Sequence, residues 1–317
     1  MSTAGKLTTR RAAFDEMLLA FAAEVGDTDP VAVEGGRTRW DAGGPPVPGT
    51  RLVRAPAGIV EYRPEEMTVR VRAGTAVEEL HEALGARGQR TALPRRGGTV
   101  GGALAVGEDD VCVLGRGRVR DAVLQIRYVS ADGAVVTGGG PTVKNVTGYD
   151  LPRLLVGSLG TLGLLGEAII RTNPVPAVSR WFSAEGADPF AAREALFRPS
   201  AVLFDGRTTW VQLEGHAADV EAERRGLAGD PAVGGDWQEC ERGPVLPPHR
   251  WSLRPSELRC VDGSQLGEFV ASVGVGTVFA SLPAPARPQA AALGALAGRI
   301  KHEFDPTGRL NPGRSPR

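Results

Sequence analysis

The chain has 317 residues, 42% of them hydrophobic and 23% charged, proportions of an ordinary globular protein of about two domains. Its 37 basic and 37 acidic residues cancel, so no global field favours nucleic acid or an anionic membrane surface. Cys112, Cys240 and Cys260 form no CxxC pair, which argues against an iron–sulfur or structural zinc site and fits a reducing compartment, the cytoplasm; no run approaches the ~18 consecutive apolar residues of a membrane span.

Met1–Arg11 is polar and basic and lacks the apolar core of a secretory signal. Thr9 to Val25 reads as an amphipathic helix, with Thr9 as its cap and Phe14, Leu18, Phe21 and Val25 on one face. Short β-rich runs follow at Val31–Glu34, Arg51–Arg54, Ile59–Tyr62 and Thr68–Arg72, broken by Gly and Pro. Ala76–Ala86 is expected to be helical, with Val77, Leu80 and Leu84 aligned. A glycine-rich stretch at Gly97–Gly107 precedes an expected strand at Val111–Leu114. Val123–Ser130 and Ala134–Thr137 meet around Asp132-Gly133, a hairpin signal. Tyr149–Leu155 is expected to be a helix with Pro152 in its first turn, and Leu162–Arg171 a buried strand.

Asn173-Pro174-Val175-Pro176 punctuates the chain as a linker. Beyond it come strand, helix, strand, an Asp205-Gly206 hairpin, a strand at Thr208–Glu214 and a helix at Ala217–Leu227. Ala228–Arg259 shows no clear pattern; a helix, a strand near Gly276–Ser281 and a last helix at Pro288–Phe304 lead to the turn-rich tail Asp305–Arg317. That order suits helices laid on one face of an antiparallel sheet.

Glycine is over-used, with 43 residues, and three runs in the first half stand out. They are Gly35-Gly36-Arg37-Thr38, Gly97-Gly98-Thr99-Val100-Gly101-Gly102 and Gly157-Ser158-Leu159-Gly160-Thr161-Leu162-Gly163. Each sets residues without side chains beside a hydroxyl, so that backbone N–H groups can meet a phosphate oxygen. One such loop is usually only a turn; three in one half of a chain are harder to explain that way. Other motifs fail. No GxGxxG opens a helix after a strand, Lys144-Asn145 is not a P-loop, and Val156–Gly160 is one residue out of register for a hydrolase elbow. His81, His216, His249 and His302 have no metal-ligand spacing, so no metal site is assigned.

Lys144-Asn145-Val146-Thr147-Gly148-Tyr149-Asp150-Leu151, continued by Arg153-Leu154 and Gly157–Gly163, resembles the signature of flavoproteins of the vanillyl-alcohol oxidase and p-cresol methylhydroxylase type, in the branch holding glycolate oxidase and D-lactate dehydrogenase. The Gly97–Gly102 run is similar to that family's second glycine-rich loop, Val119-Arg120-Asp121 to its VRD element, and Ile59–Gly74 to its pair of short strands. Phe304–Arg314 is similar to its FDPxGxxNPGR tail, and the short length resembles the FAD-binding subunits of the branch.

The resemblance implies an α+β chain: a two-subdomain FAD-binding domain of p-cresol methylhydroxylase type at 1–175, a smaller α+β cap domain at 176–300 and a tail at 301–317 that returns to the FAD domain. By correspondence, Gly35, Gly36, Arg37 and Thr38 form the first pyrophosphate loop, and Gly98, Thr99, Val100, Gly101 and Gly102 the second. Gly148, Tyr149, Gly157, Ser158, Gly160, Thr161 and Gly163 are expected along the flavin or pyrophosphate. Neither loop offers His or Cys where some relatives attach the cofactor, so FAD is expected to be held non-covalently. The implied activity is FAD-dependent oxidation of a small 2-hydroxy acid of the glycolate or D-lactate type, with hydride passing from the α-carbon to flavin N5. The implied partners are a larger flavoprotein subunit and an iron–sulfur subunit. Two alternatives stand beside it: a non-catalytic FAD-holding or scaffolding subunit, and a fold that has lost FAD. Arg207, His249, Arg250 and Arg254 are candidates for carboxylate binding and proton removal, but no spacing supports them and no catalytic residue is assigned. Two departures from the family pattern matter. Arg37 stands where relatives often carry glycine, and Glu108-Asp109-Asp110 sets carboxylates where they would repel a diphosphate unless they point away.

Overall fold

The structure is a computed structural model that describes residues 16–141, 150–261, 263–285 and 291–315. Contacts divide the chain into two units: Met1–Asp110, Arg118–Pro174 and Gln289–Arg317 form one, and Val111–Gly117 with Val175–Pro288 the other.

The first unit is built on a five-stranded sheet, all antiparallel, in the order Ile59–Arg63, Thr68–Arg72, Leu164–Arg171, Val123–Val129, Val135–Gly139. The central strand Leu164–Arg171 is buried on both faces up to its last residue, which is why its sequence is a nearly unbroken apolar run. Its one acid, Glu167, is buried and sits 3.9 Å from both Arg70 and Arg127 on the flanking strands, so the charge is matched where it cannot be hydrated. The Asp132-Gly133 turn closes the expected hairpin, with Gly133 at φ 78° and Ser130 N–H donating to Ala134 O at 3.0 Å.

One helix, residues 16–25, buries Leu18, Phe21, Ala22 and Val25 at helical spacing; the expected first turn with Thr9 and Phe14 lies outside the described residues. Helices Val77–Gly85 and Val100–Val106 bury Val77, Leu80, Leu84, Val100, Ala103 and Leu104 in the main core. Helix Leu151–Leu155 is capped by Asp150, whose Oδ1 accepts from Arg153 N at 3.2 Å, and it carries Pro152 in the first turn as expected.

A two-stranded parallel pair, Val31–Val33 with Arg51–Val53, is extended by the C-terminal tail: Val31 bridges Leu310, and Asn311 N–H donates to Val31 O at 2.7 Å. Asp305, buried, organises that tail by accepting from Lys301 Nζ at 2.5 Å, Leu310 N at 2.8 Å and Arg309 N at 3.1 Å. Burial alone would raise its pKa, but Lys301 and the two amides outweigh it and hold the carboxyl below the ordinary Asp value. A depressed folded pKa stabilises above the unfolded value of about 3.9 and is lost as pH falls through the folded one. Thermal melts of wild type and Asp305→Asn should therefore differ by a constant amount above about pH 5 and converge below about pH 4. A gap that persists unchanged at pH 3 would contradict this.

The second unit is a seven-stranded antiparallel sheet in the order Gln238–Cys240, Val178–Glu185, Thr208–Gly215, Ala201–Phe204, Phe269–Ser272, Thr277–Ala280, His249–Ser252. Phe182, Val202, Val211 and Leu213 point from one face into the helices Pro189–Ala195 and Ala217–Gly229, and alternate residues such as Ala201 and Leu203 point the other way. This is the helices-on-one-sheet layer the sequence implied, and with the first unit it makes the chain α+β.

The opposite face holds Val111–Gly117. Cys112 Sγ donates to Gln212 Oε1 at 2.6 Å, and Glu214, half-buried, accepts from Ser200 Oγ at 2.7 Å and Arg116 Nη2 at 3.2 Å. The expected strand at Val111–Leu114 is instead a helical turn, Val113–Arg116, because Cys112 O takes both Gly115 N and Arg116 N before Gly117 stops the chain at φ 80°. The stretch without sequence pattern contains the two edge strands, Gln238–Cys240 and His249–Ser252. The last helix covers Ala291–Phe304.

Candidate cofactor cleft

The first two glycine runs meet backbone to backbone. Loop Glu34–Thr38 leaves the strand Val31–Val33 after Glu34 N–H donates to Val53 O at 2.8 Å. A Cβ on Gly36 would fall 2.8 Å from Gly98 Cα, and one on Gly98, already at φ 83°, would fall 2.4 Å from Thr38 Oγ1. No side chain fits at either position, so the loops touch only because both carry glycine. Thr99 does not offer its hydroxyl outward: Oγ1 accepts from Gly102 N at 3.2 Å and caps the helix Val100–Val106.

The third run is pinned to that helix and to the tail. Gly157 N donates to Leu104 O at 3.0 Å, Leu159 N to Ala105 O at 2.8 Å, and Asn311 Nδ2 donates to Leu159 O at 2.5 Å.

These segments line a cleft with about 800 Å³ of empty space, part of it open solvent. Gly35, Gly36, Arg37, Thr38, Thr99, Gly101, Gly102 and Gly160 line it. Of the other expected residues, Gly98 supports the loop junction, Val100 is buried in the core, and Ser158 and Thr161 are buried in their own turn. Gly157 packs on Gly107, and Gly163 packs on the Tyr128 ring, 2.3 Å from where its Cβ would be. Gly148 and Tyr149 lie outside the described residues. Lining residues that motif matching did not single out include Arg39, Trp40, Ala73-Gly74, Leu164-Leu165, Asn311 and Arg314. Asn311 and Arg314 belong to the tail motif, and Ala73-Gly74 ends the stretch similar to the family's strand pair.

The acidic run does not spoil the cleft. Glu108 is buried and shared by Arg39, whose Nε donates to Oε2 at 2.7 Å, and Arg96, which bonds Oε1. Asp109 accepts from Val119 N at 2.8 Å and pairs with Arg118 at 3.4 Å. The expected repulsion is therefore answered locally for both acids. Arg39 in turn donates through Nη1 to Gly97 O at 2.9 Å and Thr38 Oγ1 at 3.1 Å, joining the two loops a second time. Arg37 pairs with Glu34 and is mostly exposed.

Glycine backbones, apolar walls from Ala55, Val106 and Leu165, and guanidinium groups from Arg37, Arg39 and Arg314 suit a ligand that is part flat ring and part polyanion. The cradle that a Cβ would fill at Gly36 and Gly98, and the guanidinium N–H groups of Arg314 that have no acceptor among the described residues, fit a dinucleotide such as FAD. Arg207, His249, Arg250 and Arg254 are not among the lining residues; Arg207 is exposed and pairs with Glu185 at 2.6 Å. Among the described residues, no group of three or more His, Cys, Asp or Glu could hold a metal ion, and no helix is long and apolar enough to cross a membrane.

Residues 17–139 match the family model described as FAD binding domain. The chain is 30% identical over 92% of its length to glycolate oxidase subunit GlcE of Escherichia coli (strain K12), covering 93% of that protein. It is 35% identical over 46% of its length to D-lactate dehydrogenase of Archaeoglobus fulgidus, and 33% identical over 38% to glycolate oxidase subunit GlcD of Bacillus subtilis (strain 168); it spans 33% and 27% of those proteins. A solved structure of alkyldihydroxyacetonephosphate synthase superposes with a TM-score of 0.64 at 15% identity, over 95% of this chain and 74% of that one, a likeness of fold.

Proposed function

Because the chain belongs to the family of FAD-binding flavoproteins that contains glycolate oxidase subunit GlcE, we propose that it is the FAD-binding subunit of a 2-hydroxy-acid dehydrogenase or oxidase acting on a substrate of the glycolate or D-lactate type. The observation that carries this reading is the cleft closed by Gly36 against Gly98, a backbone cradle beside apolar walls and three guanidinium groups. When bound, FAD supplies the hydride acceptor for oxidation at the substrate's α-carbon. The chain's part is to bind and orient it. Gly35, Gly36, Gly101 and Gly102 let backbone approach closely, Arg39 holds the two loops together, and the apolar walls exclude water from the ring. The described lining residues include no His, Cys or Tyr, which supports non-covalent attachment.

The same lining supports a second reading. The ionisable groups in it are Glu34, Arg37, Arg39 and Arg314, and Glu34 is paired with Arg37, so no base stands ready for a hydroxyl proton among them. A cofactor-holding subunit, with oxidation completed beside a larger flavoprotein subunit and an iron–sulfur subunit, would be built this way. We place the FAD-binding domain in the first unit, which differs from 1–175 in lacking Val111–Gly117 and in taking its returning tail from Gln289 and not 301, the cap in the second unit, near 176–300, and the assembly in the cytoplasm.

Visible spectra of the purified chain, recorded with FAD and then with glycolate or D-lactate, separate the two readings. The first predicts a flavin spectrum that bleaches with a hydroxy acid; the second predicts one that substrate leaves unchanged until partner subunits are added. In either case acid precipitation should release all the flavin into the supernatant. A chain that takes up no FAD under any condition would refute both.

A further inference from the structure

Arg314 is the cleft-lining arginine without a carboxylate partner among the described residues. Arg39 is matched by Glu108 and Arg37 by Glu34. Arg314 donates through Nη1 to Ala42 O at 2.8 Å and stacks on Trp40, its Cζ 4.6 Å from the ring centroid. Its Nε and Nη2 have no acceptor among the described residues. Burial works against its charge, and Asp41 offsets only part of that, leaving the pKa below the ordinary Arg value.

The position is fixed by the backbone. Ser315 N donates to Gly43 O at 3.0 Å and Val47 N to Pro312 O at 3.0 Å, so the tail is clasped by residues 43–47 on both sides of Arg314. Asn311, in the same turn at φ 46°, also keeps a buried Oδ1 without a partner among the described residues. A partly desolvated cation whose charge is incompletely matched is costly, and an anion brought within reach relieves that cost. Trp40 lies two residues beyond Thr38, and Arg37 of the first glycine loop stacks on the same ring at 5.1 Å.

We propose that Arg314, backed by Trp40, is an anion subsite that takes a phosphate oxygen of the bound dinucleotide, so that the C-terminal tail and not the glycine loops alone recognises the diphosphate. This rests on the FAD reading of the cleft. The neighbouring glycine loop favours phosphate over a substrate carboxylate, since clustered amides and a guanidinium complement a multiply charged group.

Titrations of the full-length apo chain test it with FAD, ADP (the phosphates without flavin), riboflavin (flavin without phosphates) and glycolate. Trp40 is the one tryptophan of the first unit, the other four being Trp181, Trp210, Trp237 and Trp251 in the second, so its fluorescence reports the site. Arg314→Gln should weaken FAD and ADP at least tenfold while riboflavin changes less than twofold; Arg314→Lys should recover part of the loss. FAD and ADP binding as tightly to Arg314→Gln as to wild type would overturn the inference and leave the FAD reading standing. A loss confined to glycolate would overturn it in favour of a substrate-carboxylate site. Wild type that binds neither FAD nor ADP would remove the FAD reading and this inference together. Equal melting temperatures for Arg314→Lys and wild type show that the fold is intact in the comparison.

Discussion

Gly36→Val is expected to lower FAD affinity at least a hundredfold, to the point where gel-filtered protein carries no flavin absorbance. The new Cβ would meet Gly98 Cα at 2.8 Å, a contact with main chain that no rotamer change relieves. The loops must then part. Arg39, which bridges them through Gly97 O and Thr38 Oγ1, resists the separation, so the cradle deforms while the core beneath it stays packed. The stability cost of such overpacking is about 1–3 kcal/mol, well below what would unfold a chain of this size. Gly85→Ala is the matched control, because a Cβ there meets nothing within 4 Å. Full flavin occupancy in Gly36→Val would show that the cofactor does not use the junction of the two loops.

Arg309→Ala should be the most destabilising single change in the tail, by about 3–5 kcal/mol. The buried guanidinium donates to three carbonyls from separate parts of the chain: Nε to Asp29 O at 3.0 Å, Nη1 to Ala131 O at 3.1 Å and Nη2 to Val25 O at 2.7 Å. Removing it takes the guanidinium from Asp29 O and Ala131 O, while Val25 O keeps a second donor in Arg51 Nη2 at 2.8 Å, and it leaves the Asp305 carboxylate with one cation fewer nearby. At 2–4 °C per kcal/mol, the melting temperature should fall by roughly 10 °C. Arg309→Lys should restore only a fraction, since one ammonium cannot reach three carbonyls placed around a planar fork. A drop of less than about 3 °C for the alanine variant would mean that the tail is held mainly by its strand-like pairing with Val31.

Much of the site was legible because glycine leaves a mark in the sequence wherever backbone must approach backbone. Gly35, Gly36, Gly101 and Gly102 were read that way and line the cleft. The same mark also misleads. Gly163 makes room for the Tyr128 ring and Gly157 lies against Gly107, needs that look the same in a motif. The Arg39–Glu108 pair joins residues 69 positions apart, and no periodicity connects them, so Glu108 read as a repulsive charge. In the second unit, the missed strands Gln238–Cys240 and His249–Ser252 are the two edges of the sheet. An edge strand of three or four residues buries little, so the alternation that identified Thr208–Gly215 is absent from them. The hairpins around Asp132-Gly133 and Asp205-Gly206 were readable because their geometry is decided within four residues.

The division of the chain between its units sets the order in which they can be completed during synthesis. Val111–Gly117 emerges from the ribosome long before Val178–Glu185 and Thr208–Gly215, whose sheet it covers, and must wait for them with Cys112 exposed. The first unit waits in its turn, because Leu310 and Arg309 are made only after the whole of the second unit. Neither unit can finish while the other is still unmade, so the usual sequence of one nascent domain folding before the next begins is closed to this chain. A gene cut at the unit boundary would yield two fragments that each lack a piece of their own fold.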